Sequence, residues 1–546
     1  MIQTPEFSAI SDAPRSTDQS LLDALAADLR AAEFGHDAIS ALLGPEANAA
    51  LHRDQLVPAL LVLRGAYAAP RPAALAVQLG LWMLGREFDA DALDAAFPVL
   101  RIAGLVELGL IEQSDSGNWR ASVDLRPHAS DADAELWVAS DPGAHQRTGV
   151  LRHDHVLGIG QASLTLAQIT VRPQVERALD LGTGCGIQLF HLLAHARTAV
   201  ATDISERALA FTRFNLLLNH AALGLDPADL GARVQLRLGS LLEPVAGEEF
   251  DLVVSNPPFV ITPRRSGEST ADQYTYRDGG LPGDRLVAEL IAGIPSVLRP
   301  GGVAQMLANW EIGAKPDIDA QDTDEQEIPA WQLGPRSWLD PATEAWFIQR
   351  ETATPSEYAE TWLRDSSESR DPEAYAEHYE QYLDDFASRS VAAVGFGMVW
   401  LRRPENSEIR PLSWRFEEIG YPIEQPVGQY LAAAVAAADL LAASDLGSEH
   451  LLVAEDVTEE RHQRPGAEHP GVILLRQGAG LRRTELLSTE LAGFVSACDG
   501  DLSVDQLVGA LDSLLGDGDP DFVDRLHDGV SRLVTRGFLL QMRNKR

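Results

Sequence analysis

The sequence predicts an α/β fold: a doubly wound, mostly parallel, seven-stranded sheet with helical, winged-helix-like modules flanking it at both ends. Three observations carry this expectation. From about residue 172, short β-prone runs alternate with helical stretches, as parallel strands joined by crossover helices do. One of these runs ends in a glycine-rich turn, DLGTGCG at 180–186, that opens straight into a helix. The segments before about 130 and after about 421 lack this alternation: the first reads as helices followed by a small hairpin, the second as helices followed by an apolar, glycine-containing strand start.

In chain order, apolar residues at helix spacing begin at Leu21, Leu22, Leu25 and Leu29, and Pro70 and Pro72 break the pattern. Helices are expected at 73–84 and 91–107, then a hairpin from 110–113 and 119–123 around the turn 114–118. Such a module serves nucleic-acid recognition or plain protein contact; Asp91, Asp94 and Glu107 against Arg101 favour contact. The strands are expected at 178–180, 198–202, 234–238, 250–255 and 303–308, with helices at 206–218 and 286–297 among them. An acidic loop at 315–329, a helix at 372–389 and a last strand at 391–403 come next, then a loop at 460–471. At about 150 residues per domain, 546 residues suggest three or four domains. The expected division is 1–130, 131–420 with a core at 157–310 and an insertion at about 315–370, and 421–546.

Hydrophobic residues make up 45% and charged residues 23%, an ordinary globular balance that excludes a wholly disordered or fibrous chain. Cys185 and Cys498 are the two cysteines, so neither a disulfide framework nor a cysteine-based metal cluster is expected. The best apolar run, 431–443, contains Asp439 and falls short of the roughly 18 residues of a membrane span. With a polar N-terminal stretch, these features predict a soluble cytoplasmic protein with no membrane partner. A net charge of −37 repels nucleic acid at long range, and lysine occurs only at 315 and 545.

Three motifs carry chemistry. In the first, Gly182, Gly184 and Gly186 permit positive φ and close approach of a ligand to the backbone, with Thr183 between them. Asp180 at the strand end would repel a pyrophosphate, yet it suits a cationic amino-acid ligand. In the second, Asp203 ends the next strand about 20 residues further on, the spacing of an acid that accepts ribose hydroxyls, with Ile204 beside it. In the third, an apolar strand runs into Asn256-Pro257-Pro258-Phe259. The prolines fix the backbone and remove donors, which leaves the Pro257 carbonyl and the Asn256 side chain as acceptors and Phe259 as a flat face. That set suits a planar NH2 group.

These motifs, in this order, resemble the amino-methylating S-adenosylmethionine-dependent methyltransferases, and 276–302 is most similar to the release factor glutamine N5-methyltransferases. The resemblance covers roughly 157–308. It implies a Rossmann-like class I methyltransferase fold and S-adenosyl-L-methionine as cofactor. It also implies donor binding by Asp180, Gly182, Thr183, Gly184, Gly186, Asp203, Ile204, Ser240, Leu241 and Asn256, with catalysis by Asn256, Pro257 and Phe259. Two positions depart from it. Phe259 stands where the glutamine branch usually has Tyr, a Phe commoner in ribosomal-RNA N-methyltransferases, and Ser240 stands where many relatives place an acid.

The polar stretch 262–280 reads as a substrate lid, with Arg264, Arg265, Tyr274, Tyr276 and Arg277 as substrate contacts. Three readings of function are open. The first is methylation of a protein glutamine amide, of the release-factor type, which the acidic chain favours. The second is N-methylation of an adenine or guanine base in RNA or DNA, which Phe259 favours. The third is a non-catalytic winged-helix regulator that retains the fold, which the intact motifs disfavour.

Overall fold

The structure, a computed structural model, describes residues 6–53, 55–67, 73–129, 135–143, 146, 152–264, 278–314, 328–365, 371–405 and 413–542. Near-continuous apolar runs bounded by charged or glycine positions form the strands of a central sheet, buried on both faces as parallel strands are. They are β1 (Val175–Leu181), β2 (Ala196–Asp203), β3 (Val234–Leu238), β4 (Phe250–Ser255), β5 (Leu298–Gly313), β6 (Glu344–Ala353), β7 (Val391–Arg402) and β8 (Trp414–Glu418). Their order is β8-β6-β7-β5-β4-β1-β2-β3. β1 pairs in parallel with β2 and β4, β2 with β3, β4 with β5, and β6 with β8. The winding reverses between β1 and β4, the switch point outside which ligands bind in such sheets. Leu181 lies opposite both Thr202 and Ser255, so the carboxyl ends of β1, β2 and β4 finish level.

The sheet has eight strands, not seven. β8 lies past the last strand expected at 391–403, and Arg415, Glu417 and Glu418 interrupt its apolar pattern. Its charges are accommodated in place. The Arg415 guanidinium lies over the Trp346 ring at 4.2 Å, and Arg483 pairs with Glu417 at 2.7 Å. The insertion expected at about 315–370 is corrected too. Residues 315–327 lie outside the described ones, but 328–365 hold a helix, Ala330–Ser337, the sheet strand β6 and a second helix, Pro355–Asp365.

Three helices position the site. α1 (Ile187–Leu193) succeeds the glycine turn and is buried along its whole length. α2 (Glu206–Leu218) starts at Ser205, whose side chain accepts from the Ala208 N–H as an N-cap. α3 (Arg285–Gly293) leads through a short 3-10 turn, Ile294–Val297, into β5.

Chain contacts divide the molecule into two units: residues 1–166, 174–340 and 351–400, and residues 167–173, 341–350 and 401–546. These do not coincide with the boundaries expected at 130 and 420. In the first unit one hydrophobic core runs from Leu22 in the first helix through Leu136 and Phe190 to Val234 in β3. The expected hairpin pairs Ile111–Gln113 with Trp119–Ala121. A second hairpin, Asp124–Ala129 with Glu135–Ser140, comes after it. Two asparagines one turn apart, Asn215 on α2 and Asn219 at its C-cap, grip the edge of this second hairpin. Asn215 Oδ1 accepts the Ala139 N–H and its Nδ2 donates to the Ala139 carbonyl, both at 2.8 Å. Asn219 does the same for Trp137, at 2.8 and 2.7 Å. The spacings match: four residues along a helix against two along a strand.

The second unit is built around the helix Gly428–Ala443 and a core of Leu451, Leu475, Phe494, Val530 and Phe538. Strand Val457–His462 enters the loop expected at 460–471 and pairs with Val472–Gln477. Burying Arg402 against Glu344 and Asp439 ties the last residue of β7 into this unit.

The Asn215 grip carries a stability expectation. Asn215→Ala leaves the Ala139 N–H and carbonyl and the Cys185 carbonyl without partners. Each stranded buried group costs about 1–3 kcal/mol. Urea unfolding should show a loss of at least about 2 kcal/mol, and an unchanged midpoint would remove the asparagine pair as an anchor.

Candidate active site

The glycine turn adopts the left-handed backbone only glycine takes freely: φ is +75° at Gly182, +57° at Gly184 and +94° at Gly186. A Cβ at Gly182 or Gly184 would meet nothing within 4 Å, whereas one at Gly186 would press on Thr212 Cγ2 at 3.3 Å. The first two glycines therefore front open ground and the third packs against α2.

The backbone of the turn is tied on every side. The Gly182 and Thr183 N–H groups both donate to the Thr202 carbonyl at 2.9 Å. Thr212 Oγ1 donates to the Gly184 carbonyl at 2.8 Å and Asn215 Nδ2 to the Cys185 carbonyl at 2.9 Å. Asp203 closes the set: Oδ2 accepts the Gly184 N–H at 3.0 Å and Oδ1 accepts the Ser205 N–H at 2.9 Å.

Asp180, expected at the mouth of the turn, lies beneath it instead, 1% exposed. Its Oδ2 accepts from Thr183 Oγ1 at 2.7 Å and from the Leu189 N–H at 3.1 Å, so it holds the turn to α1. Burial pushes its carboxyl up to about 7, against the lowering effect of those two bonds. Burial also raises Asp203, offset in part by its backbone N–H bonds.

Beside Asp203, Ile204 stands 60% exposed, an apolar plate at the rim. The Gly239 N–H donates to the Asp203 carbonyl at 3.0 Å, which brings Ser240 and Leu241 to the same rim. Leu241 sits at φ +47°, a left-handed position that side chains rarely adopt and that clusters at ligand sites. These features fit S-adenosyl-L-methionine. The open backbone at Gly182 and Gly184 admits the amino-acid part. Each Asp203 oxygen keeps a lone pair for a ribose hydroxyl, and Ile204 can cover a planar base.

The third motif begins where β4 stops. Ser255 Oγ donates to the Leu181 carbonyl at 2.8 Å and fixes the strand end against the glycine turn. Asn256 Oδ1 is buried and has no hydrogen-bond partner among the described residues. Pro257 is buried, and Phe259 half-buried.

Two residues missed in sequence hold the far end of this motif. Asn309 Nδ2, on β5, donates to the Phe259 carbonyl at 2.7 Å, and the Ile261 N–H donates to the Tyr358 hydroxyl at 2.8 Å. Asn309 had a readable signal, since it is a polar residue at the carboxyl end of an apolar strand run. Tyr358 had none, lying 97 residues from its partner.

Of the expected substrate contacts, Arg264 is engaged elsewhere. It pairs with Asp278, 3.0 Å between Nη1 and Oδ2, and the Asp278 side chain is 3% exposed. A cation next to a buried carboxylate is taken up by it. Arg265, Tyr274, Tyr276 and Arg277 lie outside the described residues.

Comparison with known proteins agrees with this geometry. The family described as "Methyltransferase small domain" matches residues 145–273, and "Domain of unknown function (DUF7059)" matches 31–122. A release factor glutamine methyltransferase of Moorella thermoacetica is 36% identical over 141 residues, 25% of this chain and 45% of that protein. A ribosomal protein uL3 glutamine methyltransferase of Bradyrhizobium diazoefficiens is 31% identical over 159 residues, 28% and 46% of the two chains. A putative protein N5-glutamine methyltransferase of Methanocaldococcus jannaschii is 28% identical over 170 residues, 31% and 79% of the two chains. The chain thus spans a little under half the length of the first two relatives. Among solved structures, a ribosomal protein L11 methylase from Lactobacillus delbrueckii subsp. bulgaricus matches 29% of this chain and 63% of its own. Its identity is 22% and its TM-score 0.20. The fold assignment rests on the strand order of the chain itself.

Two outcomes are expected. Asp203→Ala should weaken S-adenosyl-L-methionine binding by roughly 1.5–3 kcal/mol, the worth of hydrogen bonds to a charged group; calorimetry with unchanged affinity in a folded variant removes Asp203 from the site. Asp180 has a folded pKa near 7 against an ordinary 3.8. Between those values the folded state keeps a proton that the unfolded chain has lost, so this carboxyl makes stability fall as pH rises from about 4 to 7. Asp180→Asn should flatten the fall in melting temperature over that interval.

Proposed function

We propose that this protein is an S-adenosyl-L-methionine-dependent N-methyltransferase that methylates the side-chain amide of a glutamine in a protein. The observation that carries the proposal is the unpaired, buried Asn256 Oδ1 at the carboxyl end of β4. A buried acceptor without a donor costs about 1–3 kcal/mol, and an incoming NH2 group removes that cost.

When bound, S-adenosyl-L-methionine supplies a methyl group already activated on a sulfonium. The chain's part is then positioning and exclusion of water. Asn256 Oδ1 and the Pro257 carbonyl take the two N–H groups of the acceptor and turn its nitrogen toward the donor. As that nitrogen becomes positive, the same two oxygens stabilise it, an effect felt mainly in the transition state. Phe259 stacks on the planar amide, and no strong base is needed if the proton leaves after attack.

The net charge of −37 supports a protein acceptor over a phosphate backbone. The names of the relatives, release factor and ribosomal protein glutamine methyltransferases, support it too. Proteins of translation are met in the cytoplasm, and no helix among the described residues is long and apolar enough to cross a membrane. The aromatic plane of Phe259 favours a second reading, an adenine or guanine amine in RNA or DNA.

Labelled methyl from the purified enzyme should enter the protease-sensitive fraction of a cell extract and survive nuclease treatment; the reverse pattern selects the nucleic-acid reading. Asn256→Ala should leave donor affinity nearly unchanged while turnover falls about a hundred- to a thousand-fold, as for loss of one pre-aimed oxyanion-hole group. Phe259→Ala should raise the Michaelis constant for the acceptor, and Phe259→Tyr should be tolerated. Full turnover by Asn256→Ala sinks the clamp.

A further inference from the structure

We propose that Tyr358 and Asn309 are positioning residues that set the acceptor clamp, a role that rests on the methyl-transfer reading. The two prolines stiffen the motif internally, and Ser255 anchors its entry to β1. The exit is tied by side chains from two distant elements. Asn309 Nδ2 holds the Phe259 carbonyl at 2.7 Å and reaches the Tyr358 hydroxyl at 3.3 Å. The same hydroxyl accepts the Ile261 N–H at 2.8 Å. Phe259 and Ile261 are thus held from a single polar node, which fixes where the Phe259 ring starts and how the carbonyls before it are turned.

The node is rigid for reasons outside the motif. The Tyr358 ring is 1% exposed, stacked on Phe396 at 5.8 Å and set edge-on to Phe386 at 5.4 Å. Asn309 is fully buried in β5, where a leucine would pack with no polar group to satisfy. Its Oδ1 has no partner among the described residues. The fold tolerates that unpaired acceptor while Nδ2 makes both of its bonds, a local cost of the sort found at functional sites.

The test uses the full-length protein with Tyr358→Phe, which keeps the aromatic packing and removes only the hydroxyl, and Asn309→Leu as a second variant. Three quantities are read: donor affinity by calorimetry, kcat and acceptor KM on the purified protein that the wild-type enzyme labels, and backbone hydrogen exchange over 256–263. For Tyr358→Phe, donor affinity should stay within about twofold. The turnover number should fall about tenfold to a hundredfold, the size of effect a small misplacement of reacting groups produces. Exchange at Ile261 should quicken, and Asn309→Leu should show the same division between kcat and donor affinity. Unchanged kcat and unchanged exchange in Tyr358→Phe overturn the proposal. So does a loss of activity that only tracks the fraction unfolded at the assay temperature. If the wild-type enzyme labels no protein, the glutamine reading fails while the exchange measurement still decides: faster exchange upholds the clamp, and unchanged exchange removes it.

Discussion

The Asp203 carboxylate holds the turn after β1 and the entry to α2 in one geometry. One oxygen takes the Gly184 N–H from the turn after β1, the other takes the Ser205 N–H at the entry to α2. A charged acceptor with two backbone donors is among the stronger ties available to a loop. The strand end below it adds the Gly239 N–H on its main-chain carbonyl. Three consecutive strand-to-helix or strand-to-loop connections therefore share one residue. The open face at Gly182 and Gly184, the exposed Ile204 and the strained Leu241 all take their places from it.

The acceptor side is built on a different plan. Around Asn256 two prolines stiffen the backbone between hydrogen-bonded ties at Ser255 and at the Phe259 carbonyl, and Asn256 Oδ1 between those ties has no partner among the described residues. The donor side is polar groups satisfied in advance; the acceptor side is polar groups kept waiting. Asn256 Oδ1, just after β4, and Asn309 Oδ1, within β5, both lack partners among the described residues.

Much of this was legible in the chain. β3 and β4 fall where their apolar runs predict, and α2 begins and ends at the residues its cap and periodicity suggest. The reason is that parallel core strands and capped helices are dictated locally. The features that escaped depend on tertiary partners. β8 is strand only because Trp346, Glu417 and Arg483 accommodate its charges. Arg264 resembled a substrate contact because nothing in sequence brings Asp278 to it. Asp180 is read at the strand end facing a ligand, and only the packing of α1 over it shows it buried beneath the turn. A core shared across residue 130 leaves no mark on local composition, and Leu136 joins the same cluster as Leu22 and Phe190.

α2 has a bearing on how such proteins can be assembled over time. Its first turn faces the donor loop, its middle holds the carbonyls of Gly184 and Cys185, and its last turns grip Trp137 and Ala139. Asn215 does two of these jobs with one side chain. The N-terminal segment is accordingly not a cassette that recombination could exchange at a neutral seam near residue 130. A chimera cut there would keep Trp137, Ala139 and both asparagines but lose the strand Asp124–Ala129 that pairs with Glu135–Ser140. A replacement segment would therefore have to bring its own pairing strand and its own apolar residues for the core that Leu22, Leu136 and Phe190 share.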